Sequence, residues 1–174
     1  MDQLIKATAA DGQLRVFAAV TTDVVAEAMR RHDCWPVAAA ALGRTMTGAL
    51  LFAANLKNKE SVTIKFKGDG PLGTVTADAT AEGSVRGCVD HPHVHLPLNA
   101  HGKIDVGGGI GQGILSVTRF TGLKEPVTGS VNIVSGEIAD DLIHYLYTSE
   151  QTPSSIELGV LVSPELQCLG AGGF

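Results

Sequence analysis

The sequence predicts an α+β domain. Two observations carry that expectation: short segments in which apolar and polar residues alternate strictly, separated by glycine-rich turns, and one long alanine-rich segment with the composition of a buried helix. A third is size, since 174 residues make one domain with a core that needs no covalent staples.

At the N-terminus, Leu4 to Ala9 and Leu14 to Val20 are strand-like, and Asp11-Gly12 between them is a strong hairpin signal. Leu14, Val16, Ala18 and Val20 share one strand face, opposite Arg15 and Phe17. Thr21, Thr22 or Asp23 can cap a helix to about His32, which Cys34-Trp35-Pro36 breaks. Pro36 then opens a long helix to about Phe52. Gly43 and Gly48 inside it each cost about 1 kcal/mol against alanine, a cost that fits a helix approached closely by its neighbours. Arg44, Thr45 and Thr47 interrupt its apolar character, so a buried core helix is expected rather than a membrane span.

Val62 to Lys67 alternates cleanly, turns through Gly68 to Gly73, and returns as Val75, Ala77 and Ala79. Gly83 to Val89 is a third strand, and the short turns argue an antiparallel meander. From Asp90 to Gly113 the pattern dissolves into His, Pro and Gly, as in one long loop. Ile114 to Phe120 and Val127 to Val134 are two more strands. Ser135 can cap a helix from about Gly136, carried by Ile138, Leu142, Ile143 and Leu146. A loop from Thr148 to Ser155 precedes the alternating strand Ile156, Leu158, Val160, Val162. Leu166 to Leu169 adds a short strand before the run Gly170-Ala171-Gly172-Gly173.

Composition narrows the function. Apolar residues make up 44% and charged residues 18%, with 21 glycines and no collagen-like period, a globular mix. With 13 basic and 18 acidic residues, nucleic acid is not expected, because phosphate binding needs clustered cations. The densest set, Lys57, Lys59, Lys65 and Lys67, reads as a solvated hairpin face. No secretory leader opens the chain, which makes the cytoplasm the expected location. Cys34, Cys88 and Cys168 are too sparse for a disulfide scaffold and have no CxxC spacing for zinc or redox exchange.

Three constellations could carry chemistry. Gly107 to Gly113 lacks the G-x-G-x-x-G and P-loop spacings and precedes a strand, so a tight or mobile loop is expected rather than a phosphate cradle. His91, His93 and His95 would share a face if extended, with Cys88 and His101 nearby, which keeps open a metal-dependent enzyme using the His91 to His101 loop. Pro92 disfavours the regular strand this needs, and a surface histidine cluster is the expectation. Glu137, Asp140 and Asp141 are expected to be solvated acids at a helix start, and Arg44 to need an ion-pair partner, such as Asp78 on a strand. A structural or protein-interaction domain with one specific folded partner is a further reading that these residues leave open.

Several stretches together resemble the N-terminal domain of the heat shock protein 33 family of bacterial redox-regulated holdase chaperones. They are Trp35-Pro36 through Ala40 to Arg44, Gly70 to Gly73, Gly83 to Gly87, His91-Pro92 with Leu96-Pro97-Leu98, and Leu115 to Val117. The strongest are Val134 to Asp141 running into Tyr145, Ser149 to Ser154, and Leu158-Gly159-Val160, with Ala171 to Phe174 at the end. The resemblance implies an α+β fold with a central, mostly antiparallel sheet and packed helices. It also implies a cytoplasmic homodimer that binds unfolding client proteins without ATP, prevents their aggregation under oxidative stress, and uses no membrane or nucleic acid. In the family, zinc sits on four cysteines of a C-terminal module, whose oxidation to two disulfides releases the metal and unfolds the module. Residues 1–174 are then expected to be the single core domain, with linker and zinc module absent from this chain. The resemblance assigns this chain no catalytic, cofactor-binding or metal residue, and no client-binding residue.

Overall fold

The computed structural model describes residues 1–57, 59–122 and 124–174. Among the described residues, nine strands and four helices follow in the order β1 (Gln3–Ala9), β2 (Leu14–Val20), α1 (Thr22–His32), α2 (Pro36–Ala53), β3 (Ser61–Gly68), β4 (Thr74–Thr80), β5 (Val85–Val89), α3 (Val106–Ile110), β6 (Gly113–Phe120), β7 (Val127–Asn132), α4 (Ala139–Thr148), β8 (Leu158–Val162) and β9 (Cys168–Gly173). The α+β class and the antiparallel pairing are as expected. The strands divide into two sheets, one of four strands in the order β1-β2-β9-β8 and one of five in the order β5-β4-β3-β6-β7.

Helix α2 explains the division. It packs on β3, β4 and β5 with one side and on β2, β8 and β9 with the other, so it is apolar all round. By length and hydropathy Pro36–Ala53 could cross a membrane, yet 89% of it is buried inside the protein. Alanines at 38 to 41 let the five-stranded sheet approach, while Leu42 and Met46 fill the space beside them. Burying each of those two larger side chains stabilises the fold by about 1.5–3 kcal/mol. Val62, Ile64 and Phe66 alternate inward with Val75, Ala77 and Ala79, all fully or almost fully buried.

Three segments differ from expectation. The long loop contains α3, in which the Asp105 side chain accepts from the Gly108 amide and Gly109 lies against Val37 and Leu72; glycine is needed because any side chain there would collide. Helix α4 begins at Ala139, not Gly136. Ile138 adopts φ 68° and ψ −62° and the Ala139 amide donates to the Glu137 carbonyl at 2.9 Å, a γ-turn that blocks the helix from starting earlier. The glycine run at the C-terminal end is strand β9, tied to β2 at Ala19↔Gly173 and Val20↔Gly172, because unbranched backbone can lie flat between two neighbours.

Candidate functional site

The four-stranded sheet buries one face and bares the other. Ala19, Leu158, Val160 and Ala171 face α2 and the core. By strand alternation and the register Ile5↔Ala18 and Ala7↔Val16, the opposite face carries Ile5, Val16, Leu14 and Val20, continued through Leu161. These side chains are strongly exposed: Ile5 59%, Val20 51%, Leu161 61%. Leu169, the extra residue where the β8–β9 register shifts, is exposed as well.

Between these apolar ridges the sheet is bare backbone. A shallow depression of about 410 Å³ is lined by Gly159, Leu161, Gly170 and Gly172. A Cβ on Gly159 or Gly170 would meet nothing within 4 Å, so internal packing does not require glycine at either position. The result is a flat, uncharged floor flanked by branched aliphatic side chains, able to receive apolar groups without demanding a shape. The signal for it in the sequence was Ile156 to Val162 beside the glycine run, but which face opens outward depends on register, and one residue of slip would invert it.

The other constellations fare differently. His93 Nε2 lies 2.8 Å from Asp33 Oδ2, its ring 5.5 Å from that of Trp35, while the Trp35 amide donates to the Pro92 carbonyl. The segment thus docks the loop onto the α1–α2 corner, with His91, His93 and His95 all exposed. Among the described residues no three His, Cys, Asp or Glu side chains gather where they could hold a metal ion. The glycine amides of 107 to 111 are already spent: Gly107 donates to Glu137 Oε1, Gly108 to Asp105 and Gly111 to the Gly107 carbonyl. Carboxylates occupy the place an incoming phosphate would need.

The cysteines stay apart, Cys34 buried, Cys88 exposed and Cys168 half-buried. Burial pushes the Cys34 thiol up to about 11, with Asp33 adding to the shift, and burial raises Cys168 too. Both thiols are therefore poor thiolate donors, and these residues do not fit a zinc or disulfide switch. Lys65 and Lys67 stand on the solvated face of β3 and Lys57 and Lys59 in the loop before it, all exposed, as the solvated reading expects.

Of the three acids around the start of α4, Asp140 is exposed as expected, whereas Asp141 and Glu137 are corrections. Asp141 is fully buried and accepts from the Val134 amide at 2.6 Å and the Ser135 amide at 3.1 Å, so it clamps the strand end instead of being solvated. Glu137 is the partner of Arg44, at 2.9 Å. Asp78, the expected partner, accepts instead from Arg86 at 3.0 Å and Thr63 at 2.6 Å.

Comparison with known proteins matches this geometry. The family model described as Hsp33 protein matches residues 2–174. The "33 kDa chaperonin" of Desulforamulus reducens is 55% identical over 99% of this chain and 58% of its own length. That of Bacillus subtilis is 53% identical over 100% of this chain and 60% of its own. The crystal structure of the 33 kDa chaperonin (Hsp33) from Thermotoga maritima superposes with a TM-score of 0.91 at 44% identity, covering 97% of this chain and 58% of that one. The chain thus spans about three-fifths of the length of the relatives it matches. It belongs to the Hsp33 family, a chaperone family rather than an enzyme family.

Proposed function

We propose that this chain is the client-holding core of a redox-regulated, ATP-independent chaperone that captures unfolding proteins and prevents their aggregation. One observation carries the reading: the outer face of the four-stranded sheet, where Ile5, Val16, Val20 and Leu161 stand exposed around the Gly159–Gly170 floor. Clients lacking a defined shape need such a surface. Each aliphatic side chain covered on either partner contributes at most about 1.5–3 kcal/mol, so binding rests on several weak contacts and tolerates many sequences.

Redox control and zinc belong, in this reading, to the portion of the relatives that this chain does not match, because its own thiols are separate and burial raises those of Cys34 and Cys168. A cytoplasmic homodimer is the form proposed for the whole protein, following the family resemblance.

The test is light scattering from a chemically unfolded model client diluted into ATP-free buffer. Wild type is expected to suppress aggregation equally when reduced and when oxidised. Leu161→Asp, at a site with no packing role inward, is expected to keep the melting temperature and lose most of the suppression. Equal suppression by Leu161→Asp would move the client site elsewhere, and none by wild type would remove the holdase reading of this chain.

A further inference from the structure

We propose that the outer face of the four-stranded sheet selects its clients by charge. It takes apolar segments of about ten residues bordered by lysine or arginine, and Asp11, Glu157 and Glu165 set that preference. The site is the client surface proposed above, and the selection rests on that reading; what is new is the class of segment that fits.

Strand alternation sorts the charges of this sheet onto opposite faces. Its four strands contain Lys6 and Arg15 and no other charged residue. Lys6 stands opposite Phe17 and shares the α2-facing side with Arg15 and Ala19. Arg15 is held there, donating to Asn55 just past the end of α2 at 2.8 Å. Among the described residues, the strands thus place no Lys or Arg on the outer face. Acids reach it from the connections. The Glu157 amide donates to the Phe174 carbonyl and the Phe174 amide to the Glu157 carbonyl, which extends the ladder Leu158↔Gly173 and Gly159↔Gly172. Glu157 therefore shares the outer face with Gly159 and Leu161. Asp11 lies in the β1–β2 turn and Glu165 in the β8–β9 turn, and all three side chains are exposed. Among the described residues none of the three is in an ion pair.

The two hairpins run in opposite directions from their junction at Val20↔Gly172. Asp11 and Glu165 therefore close the two ends of the platform, and Glu157 stands on its β8 border between them. From Leu14 to Val20, and on from Gly172 to Cys168, the face runs about 34 Å at ~3.4 Å per residue. An extended segment of about ten residues spans that length, and the residues bordering it on either side come beside a carboxylate.

The rim discriminates where the floor does not. Covering Ile5, Val20 or Leu161 is favourable for any apolar side chain, so the floor supplies affinity without choice. Complementary charge at a rim speeds encounter, and like charge penalises the wrong partner. A segment flanked by Asp or Glu meets uncompensated carboxylates on a chain of net charge −5, whereas one flanked by Lys or Arg gives them partners. Each exposed pair changes affinity only about 1.5- to fivefold, so the preference is the product of several contacts and is screened by salt.

The experiment is calorimetric titration of the chain with capped peptides that share a core of about ten alternating valine and serine residues. They differ only in their flanks, which are lysine, glutamine or glutamate. The lysine-flanked peptide is expected to bind at least ~fivefold more tightly than the glutamate-flanked one. That difference should vanish at about 1 M salt, where the screening length is ~3 Å. In the triple variant Asp11→Asn, Glu157→Gln, Glu165→Gln the two charged peptides are expected to bind alike at unchanged melting temperature; asparagine tolerates the left-handed backbone of position 11, at φ 53°. Glu157→Lys and Glu165→Lys in place of the glutamines should invert the order. Glu125→Gln with Asp140→Asn neutralises exposed acids outside this sheet and is expected to keep the preference; losing it there would assign it to net charge and overturn the proposal. Binding by wild type that ignores the flanks would overturn the selection and leave the client surface standing. A glutamine-flanked peptide that does not bind, or that binds Leu161→Asp as tightly as wild type, would overturn the client surface and the selection with it.

Discussion

Arg44 and Cys34 show how much one residue in this core depends on its immediate partners. The Arg44 side chain is only 16% exposed, against 37% for Glu137, and its Nε has no partner among the described residues. Removing Glu137 strands a mostly buried cation, whereas Arg44→Met removes the charge and keeps much of the packing. Glu137→Ala is therefore expected to cost about 1–3 kcal/mol and Arg44→Met less, measured by urea unfolding; the reverse order would mean that the pair is not what holds Glu137. The need for a partner was legible in the sequence, since a cation lay within an apolar helix, but its identity was not, because Glu137 is 93 residues away and its place depends on the γ-turn at Ile138. Cys34 gives a pH signature. Its thiol sits near 9 when solvated and about 11 when folded, so the folded chain holds the proton more tightly. Stability from this group is full below pH 9 and declines as pH rises toward 11. The melting temperature should fall across that window in wild type and fall less steeply in Cys34→Ala, whatever offset the lost side-chain volume imposes; identical slopes would place the alkaline sensitivity elsewhere, with Tyr145 and Cys168 also raised by desolvation.

At the scale of elements, α2 joins the two sheets, and its two interior glycines separate two kinds of close packing. A Cβ at position 43 would come within 2.7 Å of Val25 Cγ1 and 2.8 Å of Val160 Cγ2. Both neighbours are β-branched and stiff, and they belong to α1 and β8, so neither can yield without moving backbone. At position 48 the contact is 2.7 Å to Leu142 Cδ1, the far end of a flexible side chain on α4. Alanine gains about 1 kcal/mol of helix propensity at either site, against an overpacking cost of about 1–3 kcal/mol where the surroundings are rigid. Gly43→Ala is expected to be net destabilising and Gly48→Ala neutral or slightly stabilising in thermal unfolding, and equal losses would show that α4 is as fixed as α1. Periodicity made the strands of the five-stranded sheet and α2 readable in advance, since Val62-Ile64-Phe66 and Val75-Ala77-Ala79 alternate strictly. It was silent for α3 and β9, which are built largely from glycine and so carry no pattern; their structure comes from the neighbours that close over them. The proposed client face was legible only as strands, because exposure depends on how the whole sheet sits on α2.

Over the whole molecule, the two sheets are unequally secured. The five-stranded sheet has its interior strands paired along their full length and buried against α2. Among the described residues, the β1–β2 hairpin pairs with the rest of its sheet only through Ala19↔Gly173 and Val20↔Gly172, and from Ile5 to Val16 its residues are exposed on both faces. An isolated two-stranded ribbon is marginal in water, so the hairpin should open without global unfolding. Hydrogen exchange is expected to show amides of Ile5, Ala7 and Val16, which lie in the hydrogen-bonded pairs of the hairpin, at least ~100-fold less protected than those of Ile64, Ala77 and Val117. Such local opening would leave β9 joined to β8 and bare the remaining edge of β9 beside the glycine floor, enlarging the proposed client surface at little cost to the core. Equal protection in hairpin and core would mean that something else clamps the hairpin, and the apolar face beside it would then be a fixed platform. A mobile hairpin would instead predict that a disulfide stapling β1 to β2 across Ala7 and Val16 leaves the fold intact and narrows the range of clients held.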